Sequence, residues 1–299
     1  MTAAGAIEHG YVEVNGVRLH VARSGAGPLM LFLHGFPEFW RGWKKPLEYF
    51  GARGWLAVAP DQRGYNLSDK PAGVEQYRAK VLIEDIRQLA RALGAERFVL
   101  VAHDWGGAVA WGFAMAHPEL LSHLVIVNSP HPYTFWRELA NNPAQQQASA
   151  YMLLLRDAKA ERVLSQDGYA KLWQFAFAWG GPQFTDEDKA AYMEAWAQPG
   201  ALTGSLNWYR ASPLYPPTEA DPGASRLRLE AKDFRVKVPT LVIWGEADKA
   251  LLPGCLEGLE QCVPDLRLVR VPGASHWIVH ERPDLVCGEI ERFVGFNKG

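Results

Sequence analysis

An α/β fold is what this chain predicts: a mostly parallel eight-stranded sheet with helices on both faces and a long helical insertion late in the strand order. Three observations carry that expectation. Short continuous apolar runs, such as Leu29-Met30-Leu31-Phe32-Leu33, read as strands buried on both faces. These runs alternate with segments of helical spacing, which is how crossover connections look in sequence. After Asn128 the alternation stops for roughly 100 residues and then resumes, an unusually long excursion between sheet strands.

The elements follow in order. Tyr11-Val12-Glu13-Val14 and Val17-Arg18-Leu19-His20-Val21 alternate, and Asn15-Gly16 between them is a strong hairpin signal. The apolar run Leu29 to Leu33 ends in His34-Gly35-Phe36-Pro37, and Trp55-Leu56-Ala57-Val58-Ala59 ends in Pro60-Asp61-Gln62-Arg63-Gly64. A helix is expected from about Lys80 to Leu93, closed by Gly94. The strand Phe98 to Ala102, a helix from Gly106 to His117 and the strand Leu124 to Val127 complete the first half. Residues 129–235 are helix-like, rich in Trp and Tyr and broken by Pro and Gly, with no strand-like run. The sheet resumes at Val238 to Trp244, followed by a helix near 253–262, the strand Leu266 to Val271 and a closing helix from Pro283 to Phe296. The expected division is therefore 1–128 and 236–299 as one sheet domain, with 129–235 as a helical insertion.

Composition narrows the function. The 299 residues are 48% hydrophobic, enough to bury a large core, and a formal charge of −2 with no like-charge run gives nucleic-acid binding no support. Cys255, Cys262 and Cys287 have no metal spacing and an odd count, so reduced buried thiols in a cytoplasmic protein are expected. No signal peptide and no apolar stretch of about 18 residues is seen, so no membrane partner is expected. No Gly-rich phosphate loop, cofactor motif or metal-ligand cluster appears, so no cofactor is expected.

The chemistry centres on Asp104. Val101-Ala102-His103-Asp104-Trp105-Gly106-Gly107 has the strand, sharp turn and helix of a nucleophile elbow, with small residues two before and two after the reactive position. Serine usually stands there. A carboxylate instead can attack a saturated carbon, so that the enzyme itself supplies the acyl half of the ester. That points to epoxides or alkyl halides and away from ordinary esters. Asp248 follows the seventh strand and His276 the eighth, both at carboxyl strand ends where open α/β sheets bind ligands. Nucleophile, acid, histidine is the chain order this architecture uses. Glu246 shares the loop of Asp248 and is the competing acid; Asn128 cannot balance an imidazolium.

His34-Gly35-Phe36-Pro37, His103-Asp104-Trp105-Gly106-Gly107 and Gly273-Ala274-Ser275-His276-Trp277 resemble the α/β-hydrolase superfamily, in particular its epoxide hydrolase branch. The resemblance covers nearly the whole chain. It implies an α/β-hydrolase sheet with 129–235 as a helical cap, and it favours Asp248 over Glu246 as the orienting acid. It implies two cap tyrosines that bind the epoxide oxygen. Ser205-Leu206-Asn207-Trp208-Tyr209-Arg210 is similar to the second tyrosine motif, and Tyr151 matches the place of the first. It also implies an oxyanion hole from the backbone N–H groups of Phe36 and Trp105. His34, Trp105, Trp173, Phe177 and Trp179 are the expected walls of a pocket for an apolar or aromatic epoxide, the small-molecule partner of a monomer or homodimer.

The elbow is shared with haloalkane and fluoroacetate dehalogenases, so dehalogenation with the same Asp104, His276 and Asp248 is the alternative. Phe36 has no side-chain donor for a halide, and Trp105 stands where a fluoroacetate dehalogenase carries arginine. A non-catalytic small-ligand receptor on this fold is the reading from another class. His280 is expected at the surface or a helix start, His103 as support for the elbow, and Asp61-Gln62-Arg63-Gly64 as a structural turn.

Overall fold

A computed structural model describes residues 6–177 and 184–295. The hairpin signal gives β1 (Glu8–Val14) and β2 (Val17–Ser24), with Asn15 at φ 44° and Gly16 at φ 75° in the turn. Two residues with positive φ match the twist of the flanking strands, which is why Asn-Gly is placed there. β3 (Leu29–Leu33), β4 (Leu56–Pro60), β5 (Phe98–His103) and β6 (Leu121–Val127) follow, then β7 (Thr240–Gly245) and β8 (Leu266–Val271). They form one sheet in the order β1-β2-β4-β3-β5-β6-β7-β8. β1 and β2 pair antiparallel, as do β2 and β4, and the other pairs are parallel.

The strands alternate between two buried layers. Leu29, Leu31 and Leu33 pack on one face with Leu100 and Ala102, while Met30 and Phe32 join Val99 and Val101 on the other. Period-two side chains that are apolar on both sides demand cover on both sides. Helices α1 (Lys44–Gly51), α2 (Ala79–Ala92) and α3 (Trp105–Ala116) provide part of it. Arg63, just after β4, donates Nε and Nη2 to the two Asp85 oxygens of α2, both at 2.7 Å, and both side chains are buried.

Between β6 and β7 run α4 (Pro132–Asn141), α5 (Pro143–Ala148), α6 (Tyr151–Arg156), α7 (Ala160–Leu164), α8 (Gln166–Phe177), α9 (Asp186–Ala197) and α10 (Ala201–Ala211). α8 is kinked near its start, where Asp167, Gly168 and Tyr169 are left-handed. Indoles tie this insertion to the sheet. Trp196 Nε1 donates to the Pro37 carbonyl at 2.6 Å, Trp208 Nε1 to that of Arg63 at 3.0 Å, and Trp277 Nε1 to that of Ala176 at 3.1 Å. Tyr192 of α9 donates its hydroxyl to Glu38 at 2.5 Å, and Arg41 pairs with Asp188 at 2.9 Å. Several of the many tryptophans are thus anchors as well as core.

After β8 come α11 (Ile278–Glu281) and α12 (Pro283–Val294). The helix expected near 253–262 is not formed. Two 3-10 turns, Pro253–Leu256 and Leu259–Gln261, stand there, separated by Gly258 at φ 71°. The expected helix end at Phe296 lies outside the described residues. Cys255, Cys262 and Cys287 are free and buried. Among the described residues, no helix is long and apolar enough to cross a membrane.

Candidate active site

Five loops leave the carboxyl ends of β3, β5, β6, β7 and β8 and meet at one place. β5 delivers Asp104, which stands before the first residue of α3 at φ 50° and ψ −124°. A non-glycine residue at positive φ is uncommon, and such strain gathers at functional sites. The turn is held from several sides. Ser129 Oγ donates to the Asp104 carbonyl at 2.7 Å. Gly106 must lack a side chain, because a Cβ would lie 2.4 Å from the Leu33 carbonyl oxygen.

β3 delivers Phe36, whose N–H donates to Asp104 Oδ1 at 2.7 Å. Gly35 makes that approach possible: a Cβ there would lie 2.1 Å from Oδ1. His34 builds the same turn. Its Nδ1 meets the Gly35 carbonyl at 2.9 Å, and its Nε2 accepts from the Gln62 N–H at 3.1 Å.

β8 delivers His276. Its Nε2 lies 3.6 Å from Asp104 Oδ2 and its Nδ1 2.7 Å from Asp248 Oδ2. Asp248, from the loop after β7, is fixed by four donors. Oδ1 accepts from the N–H groups of Ala250 at 2.8 Å and Leu251 at 3.0 Å. Oδ2 accepts from His276 and from Asn128 Nδ2 at 2.9 Å. Glu246 points elsewhere, to Arg270 at 3.2 Å. His103 Nε2 donates to the His276 carbonyl at 2.9 Å, and its Nδ1 is buried with no partner among the described residues.

The charges reinforce one another. Burial disfavours a protonated His276, but the Asp248 and Asp104 carboxylates outweigh it and push the imidazole up to about 10. Burial likewise opposes charge on both aspartates. For Asp104 the nearby imidazoles and the Phe36 N–H prevail, and for Asp248 His276 and its other donors prevail; both carboxyls lie below their ordinary value. Burial and the proximity of His276 hold His103 down to about 4, so it is neutral.

The insertion brings Tyr151, the first residue of α6, and Tyr209 of α10 over Asp104, with ring centroids 6.3 Å apart. Tyr209 packs edge-on against Phe36 at 5.3 Å and Trp105 at 4.9 Å. Burial first, then the neighbouring Asp104 charge, holds the Tyr151 hydroxyl well above the ordinary phenol range. Burial, then Tyr151 and Asp104, does the same for Tyr209. Both hydroxyls therefore stay protonated at neutral pH and can donate.

Two cavities meet here. One of about 450 Å³ is lined by Phe36, Asp104, Tyr151, Tyr209, Asp248 and His276 among others. The second, about 420 Å³, shares Asp104, Tyr151 and Tyr209 and adds Trp105. Both fall in the size range of small-molecule sites. His34, Trp173 and Phe177 line neither of them. His34 spends one ring nitrogen on the Gly35 carbonyl of its own turn and the other on the Gln62 N–H in the loop after β4. Trp173 and Phe177 face Phe184, Tyr192 and Trp196 in an aromatic cluster within the insertion. Phe175 and Ala176 of the same helix reach the first cavity instead. Trp179 lies outside the described residues.

Two participants were not expected. Asn128 was set aside for lacking charge, yet its amide donates to Asp248 and its Oδ1 accepts from the Gly245 N–H at 2.7 Å. His280 lies in the single turn of α11, in keeping with the expected helix start, but its pairing was unforeseen: its Nε2 lies 3.0 Å from both oxygens of buried Glu38. The acidic residue within His34-Gly35-Phe36-Pro37-Glu38 was the available signal for that pair. Among the described residues, no group of His, Cys, Asp and Glu could hold a metal ion.

Known proteins resemble this chain over nearly its whole length. Residues 28–283 match the model of the alpha/beta hydrolase fold family. An AB hydrolase superfamily protein of Bacillus subtilis is 40% identical over 92% of this chain and 94% of its own. An epoxide hydrolase of Xenopus tropicalis is 35% identical over 98% of this chain and 80% of its own. The crystal structure of a Bacillus megaterium epoxide hydrolase bound to an inhibitor superposes with a TM-score of 0.88 at 39% identity, covering 96% of this chain and all of that one. A mutant of that enzyme has been crystallised with its product, a naphthyloxy-propanediol.

Proposed function

Because this chain belongs to the epoxide hydrolases of the α/β-hydrolase fold family, we propose that it converts an apolar or aromatic epoxide and water to a vicinal diol through a covalent ester on Asp104. The observation that carries this reading is the meeting of Asp104, Tyr151 and Tyr209 at the junction of two cavities, with His276 Nε2 3.6 Å from the Asp104 carboxylate. The reading takes residues 129–235 as a cap over a core formed by 1–128 and 236–299.

In the first step Asp104 Oδ2 attacks one epoxide carbon from the side away from the ring oxygen, and that same carbon's bond to the ring oxygen breaks. The departing oxygen takes a proton from Tyr151 or Tyr209, because an alkoxide is too poor a leaving group to depart alone. In the second step His276 Nε2 removes a proton from water, and the hydroxide adds to the Asp104 carboxyl carbon. The tetrahedral oxyanion faces the N–H groups of Phe36 and Trp105, donors that contribute about 3 kcal/mol each in such sites. Collapse releases the diol and restores the carboxylate. The proton taken from water stays on His276, which again faces the Asp104 carboxylate, so the resting protonation state is restored.

The electrostatics support the order of events. While Asp104 is a carboxylate it holds the imidazole protonated. Once esterified it carries no charge, so one of the two raising influences on His276 is gone; the imidazolium proton passes to the tyrosinate left by ring opening, and the neutral base is free for the second step.

Intact-protein mass spectrometry after mixing with styrene oxide tests the scheme. Wild type should yield phenylethanediol, H276Q should gain the mass of the epoxide and retain it, and D104A should do neither. A wild type that makes diol while H276Q never carries the added mass would defeat the two-step scheme. Halide release from a 1-haloalkane without diol formation would favour dehalogenation.

A further inference from the structure

The two cavities differ in character, and they share only Asp104, Tyr151 and Tyr209. The first contains every other charged group at the site: His276, Asp248 and Lys249, with Gln147 and Ser275 beside them. The second is walled by Leu82, Trp105, Val109, Phe135, Trp208 and Leu214 among others, and Asp104 is its one charged lining residue among those described. His276 lines the first cavity and not the second.

On the reading that the site opens epoxides, we infer that the cavities divide the labour: the second takes the substrate's apolar substituent and the first holds the hydrolytic water, which makes this chain an enzyme for terminal epoxides bearing one large apolar group. The water must stand between His276 Nε2 and the Asp104 carboxyl carbon, and both line the first cavity. A bound water needs two to four polar partners; the first cavity adds His276, Asp248, Lys249, Gln147 and Ser275 to the shared groups, whereas the hydroxyls that the second adds, those of Tyr77, Ser129 and Ser212, already donate to backbone carbonyls. Apolar surface is driven the other way. An epoxide held by Tyr151 and Tyr209 above Asp104 sits on the boundary, so its two carbons face opposite cavities. With one substituent, the second cavity is filled and the first stays wet. With a large group on each carbon, the second group must enter the first cavity. It remains there after ring opening, because the ester keeps both substituents, and it stands where water has to be. Ester formation survives; ester hydrolysis slows.

The test compares styrene oxide with trans-stilbene oxide, which carries a phenyl group on each carbon. Rapid-quench mass spectrometry follows the ester on wild-type protein in single turnovers. Both should alkylate the protein, and the stilbene-derived ester should hydrolyse at least tenfold more slowly and accumulate on most of the enzyme at steady state. Equal hydrolysis rates of the two esters would overturn the division. A second measurement uses Ala108, half-buried one helical turn after Asp104 and facing the second cavity. A108L should lower kcat/KM for 2-naphthyloxirane at least tenfold more than for propylene oxide; equal losses would place the substituent elsewhere and overturn the inference. If neither styrene oxide nor propylene oxide gives diol or ester, the epoxide reading itself falls and this inference falls with it. Diol formation without discrimination removes the division of labour alone.

Discussion

His276 has a carboxylate on each ring nitrogen, Asp248 at 2.7 Å and Asp104 at 3.6 Å, and the pair together keep it protonated to about pH 10. The two partners do different things. Asp248 is clamped by backbone and Asn128 donors and keeps its charge throughout. Asp104 is the one whose charge the reaction cancels. D104A should therefore lower the His276 pKa by about 1–3 pH units, the usual influence of one opposite charge at this distance. Titration of the imidazole Cε1–H by NMR measures it, and an unchanged value would mean that Asp104 does not tune the base. The turn before Phe36 is a second sensitive point. G35A puts a methyl group 2.1 Å from where Asp104 Oδ1 stands, so the carboxylate must move. A misplacement of about 1 Å can cost about 100-fold in rate, so ester formation should fall by that order. Stopped-flow alkylation rates at saturating epoxide would show it. Asp104, Asp248 and His276 were legible from their order at strand ends. Asn128 was not, because its value lies in a hydrogen bond that only the packing of β6 beside β7 creates.

At the scale of elements, α2 shows how a helix is fixed as well as formed. Ile86, Leu89 and Ala90 are its buried face, a spacing readable in sequence. Asp85 is buried with them and makes the bidentate pair with Arg63, whose Nη2 also donates to the Asn15 carbonyl at 3.1 Å. The Arg63 carbonyl in turn receives Trp208 from α10. One ion pair thus joins the hairpin, the loop after β4, α2 and the helix that carries Tyr209. D85A leaves the guanidinium buried without its counter-charge and should cost about 3–5 kcal/mol. Urea unfolding midpoints would measure this, and a loss under about 1 kcal/mol would show that water reaches Arg63 in compensation. Strands and long amphipathic helices were legible because burial imposes their periods. The segment 253–262 has apolar residues at a helix-like spacing, but Gly258 stands at positive φ within it, so the chain folds as two short turns. The facing of α8 was beyond sequence reasoning. Trp173 and Phe175 are both large and aromatic, and only the docking of the helix decides that Phe175 reaches the cavity.

For the molecule as a whole, the buried titratable groups oppose one another in pH. His103 and His131 are held down to about 4 by burial above all. A folded pKa below the ordinary 6.5 gives stability that is complete above pH 6.5 and is lost as pH falls through about 4. Buried Asp104, Asp248 and Glu38, all below their ordinary values, add to the loss at still lower pH. His276 acts in the reverse sense. Its pKa is raised, so its contribution is complete below pH 6.5 and disappears as pH rises through about 10. The stability maximum should therefore lie near pH 6.5, where the neutral histidines and the protonated one all favour the folded state. Calorimetric Tm values between pH 4 and pH 10 would test this, provided ionic strength is held constant so that screening of surface pairs does not change. H276Q should flatten the alkaline limb and leave the acid limb in place. A wild-type Tm higher at pH 9 than at pH 6.5 would contradict a protonated imidazole between two carboxylates in the resting protein, and the release of that imidazole by esterification of Asp104 would lose its physical basis with it.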